Sequence, residues 1–156
     1  MSRIIICAAA GAIAAIFAVP AKADETVKWR HVHHLTGFQT QQVGDADGHT
    51  LNLFRLPGIA FFPDGSIGTT LVIGTSDVTS GVGATINGYY TVNFADGSAL
   101  WFKYTGTTKP PTAKGTAIVI GGKGRYAGAN GEGTFEGAST SGPDAFQYID
   151  NVINLK

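Results

Sequence analysis

Five Asp-Gly or Asn-Gly dipeptides interrupt this chain, at Asp47-Gly48, Asp64-Gly65, Asn87-Gly88, Asp96-Gly97 and Asn130-Gly131. Glycine accepts positive φ at no steric cost, and Asn or Asp tolerates it, so such pairs suit the tight turns of β-hairpins. Between them lie short β-prone runs near Val27–Gln39, Thr50–Phe54, Ile67–Ser76, Gly88–Phe94, Ala99–Thr105, Gly115–Gly121, Gly133–Gly137 and Ala145–Ile153. No sustained helical period accompanies them. About eight short strands separated by turns predict an all-β fold, either a sandwich or a small closed antiparallel barrel. The clearest hairpin runs Tyr89–Phe94, turns at Ala95-Asp96-Gly97-Ser98 and returns through Leu100–Tyr104. Leu71-Val72-Ile73 and Ala117–Ile120 are apolar on both faces of a strand. A barrel interior takes one face; the other predicts cover by a neighbouring subunit, hence a homo-oligomer, a dimer or trimer.

The first residues follow another pattern. Arg3 precedes an uncharged apolar run, Ile4–Val19, and Ala21-Lys22-Ala23 presents small residues at both recognition positions of a cleavage site. This is the layout of a signal peptide, too short and too early broken by Pro20 to span a membrane. The expected organisation is a leader over 1–23 and one β-barrel domain over 24–156, secreted or periplasmic. Cys7, the single cysteine, leaves with the leader. The exported domain must therefore rely on its core rather than on disulfides. Arg3 and Lys22 leave too, while all eleven acidic side chains remain, so the domain carries a small acidic excess. That balance, with no basic stripe, excludes nucleic acid and an anionic membrane surface as expected partners.

The glycine-rich segment Gly121-Gly122-Lys123-Gly124-Arg125-Tyr126-Ala127-Gly128-Ala129-Asn130-Gly131-Glu132-Gly133-Thr134-Phe135 superficially matches a nucleotide fingerprint at Gly122-x-Gly124-x-x-Ala127. The fingerprint works only where a helix follows and its N-terminus holds a pyrophosphate. A strand is expected here, so no nucleotide cofactor is implied. The glycines are expected to serve the fold, with Tyr126 packed against the barrel end. The same segment resembles the C-terminal part of the allene oxide cyclase-like barrels and the Gly-Gly-Thr-Gly-aromatic stretch of dirigent proteins, with Lys123 where that pattern carries Thr. The resemblance covers about Thr85–Gly137. It implies an eight-stranded antiparallel barrel, often dimeric or trimeric, with an apolar central cavity. It also implies two kinds of activity, cyclisation and the steering of reactive small molecules. The catalytic residues of neither branch map onto this sequence.

Candidate site residues come from one strand and from the aromatics. In Trp29-Arg30-His31-Val32-His33-His34-Leu35, a strand places Trp29, His31 and His33 on one face and Arg30, Val32 and His34 on the other. Two histidines at i and i+2 can chelate Zn²⁺, but a site needs further ligands. His49 and scattered carboxylates are the only other candidates, so no metal is expected. Asp45-x-Asp47-Gly48 lacks the remaining ligands of a calcium loop and reads as a turn. Glu132 and Glu136 share a face that is read as solvated. Trp29, His31, His33, Tyr90, Trp101 and Tyr104 are the candidate ligand-binding set, for an apolar or aromatic molecule in a central cavity. The expected function is small-molecule binding; the alternative is a cyclase- or isomerase-like enzyme. A closed pocket holding an ionisable group with a perturbed pKa would favour the enzyme, and a pocket filled by side chains would exclude both and leave a structural or interaction role.

Overall fold

Alternation of inward and outward side chains runs through nearly every segment, and it builds one closed sheet. The computed structural model describes residues 24–35, 37–141 and 144–156; the leader read over Met1–Ala23 lies outside them. The strands are β1 (Glu25–His34), β2 (Gln39–Gln42), β3 (His49–Phe61), β4 (Ile67–Thr79), β5 (Gly83–Asn93), β6 (Ala99–Lys109), β7 (Thr112–Lys123), β8 (Gly131–Ser139) and β9 (Phe146–Leu155). A single 3₁₀ turn, Gly124–Tyr126, joins β7 to β8. Each strand from β3 to β8 pairs antiparallel with the next, and β9 pairs with β1. Closure comes where Arg30–His33 of β1 pairs with Gly58–Phe61 of β3. The result is a closed eight-stranded antiparallel barrel plus one extra strand, β2.

The extra strand explains two departures from the sequence reading. The run Val27–Gln39 is not one strand: β1 ends at His34, and the chain rejoins β3 as β2, Gln39–Gln42 against Thr50–Leu53. Between these two stretches, Phe54–Pro57 has no partner on that side. Pro57 sits in this gap, where its missing N–H costs no ladder bond. That is why β3 continues through a proline to Phe61 instead of ending at Phe54.

Four Asp-Gly or Asn-Gly pairs do lie at turns or strand junctions, with Gly48, Gly65 and Gly97 at φ of 70°, 82° and 81°. Asn87-Gly88 does not. It lies inside β5, and the β4–β5 turn forms instead around Gly81, at φ 76°. Gly88 stands opposite Gly74 of β4 and Tyr104 of β6. The glycine is there for close approach of neighbouring strands, a use that a dipeptide pattern does not distinguish from a turn.

One end of the barrel is solid. Leu100, Phe102, Val92, Ile153 and Leu155 are fully buried. Above them Tyr90 and Phe102 stack with centroids 4.3 Å apart and planes 9° from parallel, and Trp29 leans on Phe102 at 5.6 Å. Phe62, Phe94 and Tyr126 close the end itself, with successive centroids 4.8 Å apart. Tyr126 thus packs where the sequence placed it. Each such ring contributes roughly 1.5–3 kcal/mol by leaving water, which supports a domain without disulfides. The outer face is unusually apolar. Ile73, Tyr89, Trp101, Ile118 and Ile120 are all at least 40% exposed, while Val72, Ala117 and Val119 of the same strands face inward and are buried.

Candidate functional site

The other end of the barrel is hollow. A cavity of about 560 Å³ reaches from the middle of the barrel to a mouth formed by the β4–β5 turn, Lys109-Pro110 of the β6–β7 turn, and Ser139. It is one-sided because the aromatic stack fills the interior from below. Apolar walls come from Phe54 and Leu56 of β3, Val72 of β4, Ile86 of β5 and Phe135 of β8. The polar wall comes from two adjacent strands, with His31 and His33 on β1 and Gln147 and Asn151 on β9. Strand period two puts all four inward, since β1 and β9 pair with Trp29 opposite Asn151 and His33 opposite Gln147.

The polar wall is internally ordered. Asn151 Nδ2 donates to the Ile149 carbonyl at 3.1 Å and lies 3.4 Å from His31 Nδ1. Tyr90 donates its hydroxyl to Asn151 Oδ1 at 3.4 Å. An amide nitrogen facing Nδ1 makes that ring atom the acceptor, so the proton of neutral His31 sits on Nε2. In His33, Nε2 lies 3.0 Å from Gln147 Oε1 and carries the donated proton, leaving Nδ1 as the acceptor. Burial holds both rings neutral. Desolvation, reinforced by the neighbouring His33, lowers His31 to about 3. Desolvation likewise lowers His33, against a smaller opposing effect from Gln147. Three atoms of these lining residues, His31 Nε2, His33 Nδ1 and the Tyr104 hydroxyl, are buried and have no hydrogen-bond partner among the described residues. Burial also pushes the hydroxyls of Tyr104 and Tyr90 up, so both remain protonated. Room for the Tyr104 hydroxyl comes from Gly74, where a Cβ would sit 2.2 Å from that oxygen.

The structure thus brings four of the six sequence-derived residues, His31, His33, Tyr90 and Tyr104, to one cavity. Trp29 belongs to the layer beneath, buried against Phe102. Trp101 points the other way, onto the outer face, because the inward positions of β6 are Leu100, Phe102 and Tyr104. Gln147 and Asn151 went unread in the sequence. Their one signal is polar residues at alternate positions of an otherwise apolar strand, which acquires meaning only once β9 is paired with β1. On the opposite face of these strands, Arg30 holds Asp150 through two hydrogen bonds of 2.7 and 2.6 Å. His49 is not near this pair: it bridges Asp45 and Asp77, at 2.5 and 2.8 Å, outside the barrel. Among the described residues, no cluster of three His, Cys, Asp or Glu side chains is placed to hold a metal.

A closed eight-stranded antiparallel barrel, plugged at one end and hollow at the other, is the architecture defined here. Two solved structures of pterocarpan synthase dirigent proteins share the barrel fold. One is 14% identical, covers 86% of this chain and 86% of its own, and superposes with a TM-score of 0.52. The other is 12% identical, covers 85% and 94%, and superposes with a TM-score of 0.55. A pyocyanin demethylase is 17% identical over 81% of this chain and 99% of its own, with a TM-score of 0.48. No protein-family model and no curated protein sequence matches the chain. The glycine-rich segment and the dirigent structures agree on the fold, a dirigent-like barrel.

Proposed function

We propose that this chain is an exported barrel that binds a flat, largely apolar small molecule in its open-ended cavity. The observation that carries the proposal is the cavity itself. Its volume of about 560 Å³ falls within the roughly 300–1,000 Å³ of small-molecule sites, and its walls are mainly aromatic and aliphatic, with polar side chains concentrated on β1, β9 and the mouth. A cyclase- or isomerase-like activity would use His31, His33 or Tyr104 as a proton donor or acceptor. General acid–base groups work best with a pKa near the operating pH. Perturbed groups, the mark expected of an enzyme, are present, but burial drives His31 down to about 3 and pushes the Tyr104 hydroxyl up, both away from the operating range, which weighs toward binding over proton transfer.

Titration with the neutral fluorophore N-phenyl-1-naphthylamine tests this. Saturable binding with a blue shift is expected, weakened about tenfold or more by Ala84→Trp, which narrows the cavity lining. A protein that melts normally yet gives no saturable binding of this probe or of other flat apolar compounds defeats the proposal. Export rests on Arg3, the apolar run and Ala21-Lys22-Ala23. Protein recovered from culture fluid or periplasm should begin at Asp24; intact Met1 on the folded protein would refute cleavage. The apolar outer residues Ile73, Tyr89, Trp101 and Ile118 support a second copy of this chain as the partner on that face.

A further inference from the structure

His49 joins two turns at the hollow end of the barrel. It opens β3 at the close of the β2–β3 turn, residues 43–48. That turn is held by the Val43 N–H on the His49 carbonyl, at 3.0 Å, and by the His49 N–H on the Ala46 carbonyl, at 3.2 Å. The register partner of His49 is Thr79, the last residue of β4. Past that pair the β3–β4 ladder ends, and the β2–β3 turn meets the β4–β5 turn directly. A Cβ on Gly48 would stand 2.7 Å from the Ser80 Cβ. Thr79, Ser80, Gly81 and Val82 form that side of the cavity mouth.

The imidazole spans this junction. Nδ1 lies 2.5 Å from Asp45 Oδ1 in the β2–β3 turn, and Nε2 lies 2.8 Å from Asp77 Oδ1 on β4. An ionised carboxylate only accepts hydrogen bonds, and a neutral imidazole donates from one nitrogen. Both contacts are satisfied together only by the imidazolium, which donates to each side. Asp45 and Asp77 are the charged groups that act on it, and their hydrogen bonds raise its pKa. The side chain is 18% exposed, so solvent can take its proton. Loss of that proton sets a bare ring nitrogen against one carboxylate, and the turn loses one of its two holds.

We propose that protonated His49 is a clip that steadies the mouth of the cavity, and that its release as pH rises speeds the passage of ligand. This regulation rests on the binding function proposed above.

Two measurements on the intact protein between pH 6 and 9 test it, the first without ligand. By NMR, both ring nitrogens of His49 should carry protons at pH 6, and the amide signals of Ser80 and Gly81 should shift with the same midpoint as the ring. In stopped flow, release of the neutral probe N-phenyl-1-naphthylamine should quicken roughly threefold from pH 6 to 9, the scale of one exposed ion pair. His49→Gln keeps every other ionisable group and should release the probe at the fast rate throughout. A neutral ring at pH 6, or mouth amides that do not follow the ring, overturns the clip and leaves the binding function standing. So does a release rate that is constant with pH, or a pH dependence that persists in His49→Gln. Failure to bind the probe at all, with the NMR behaviour intact, removes the binding function and the gate with it. The wild-type pH series decides the matter even if the variant does not fold.

Discussion

The imidazoles of His31 and His33 lie 5.3 Å apart, centroid to centroid, tilted 30° to each other along the inner face of one strand. Both are buried and neutral, and this gives stability a specific pH dependence. Their folded pKa values are lowered, His31 to about 3. Above pH 6.5 neither state binds the proton, and stability is undiminished. As pH falls below 6.5 the unfolded chain takes protons that the folded barrel refuses, at up to about 1.4 kcal/mol per pH unit for each histidine, down to about 3 for His31 and to its own lowered value for His33. His49 acts in the opposite sense. Asp45 and Asp77 raise its pKa, so its contribution is present below pH 6.5 and fades as pH rises through the raised value. Urea midpoints measured at pH 7.5, 6.0 and 4.5 should fall steadily. His31→Phe should flatten the fall, and a wild-type midpoint unchanged at pH 4.5 would contradict the assignment.

Phe102 and Trp101 are neighbours in sequence with opposite fates. Phe102 is fully buried beneath Tyr90, whereas Trp101 is 40% exposed. Phe102→Ala should cost about 3–5 kcal/mol. Trp101→Lys should leave the fold of a single chain nearly unaffected, within about 1 kcal/mol, and should instead lower the subunit number by light scattering. A large drop in melting temperature in a variant that is monomeric, like its parent, would show that Trp101 serves the core.

Gly124 and Gly128 both hold positive φ, 63° and 74°. A Cβ at Gly124 would also stand 2.8 Å from the Ser98 Cβ, while at Gly128 nothing lies within 4 Å. Gly→Val should therefore destabilise at both positions, by roughly 1–3 kcal/mol from backbone strain, and more at Gly124. Thermal melts of the two variants give the order. Dinucleotides should not stabilise the wild type; stabilisation lost in variants that melt normally alone would restore a phosphate-binding role.

His31 and His33 are expected to hold no obligatory metal. Among the described residues no cluster of three metal-ligating side chains forms around them, and His49, the remaining candidate, is tied to two carboxylates elsewhere. Elemental analysis of protein purified without an affinity tag should give well under one equivalent per chain. A stoichiometric metal lost in His31→Ala or His33→Ala would reverse this view.

Much of the barrel is legible in local chemistry. Turn dipeptides, β-branched runs and period-two alternation act over a few residues, so they announce eight strands without any knowledge of partners. The limits appear where one local cue serves two ends. Asn87-Gly88 marks a turn by its pattern, yet it lies mid-strand because Gly74 and Tyr104 sit beside Gly88. Val27–Gln39 has β propensity throughout, yet it divides: Val27–His34 pairs with β9 and, in part, with Gly58–Phe61 of β3, whereas Gln39 opens β2 against Leu53.

The site divides in the same way. From the sequence alone came the face shared by Trp29, His31 and His33, because alternation along a strand is a covalent consequence of extended backbone. Which face of β6 looks inward was settled by tertiary structure, and with it the fate of Trp101 and Tyr104, since register depends on the neighbouring strand. The depth of Trp29 below the cavity was settled there too. So were the pairing of His31 with Asn151 and of His33 with Gln147, contacts separated by 120 and 114 residues. Pairings at that distance exist only after the barrel closes. Closure also removes water from the histidines, and desolvation is what makes their neutrality a property of the fold.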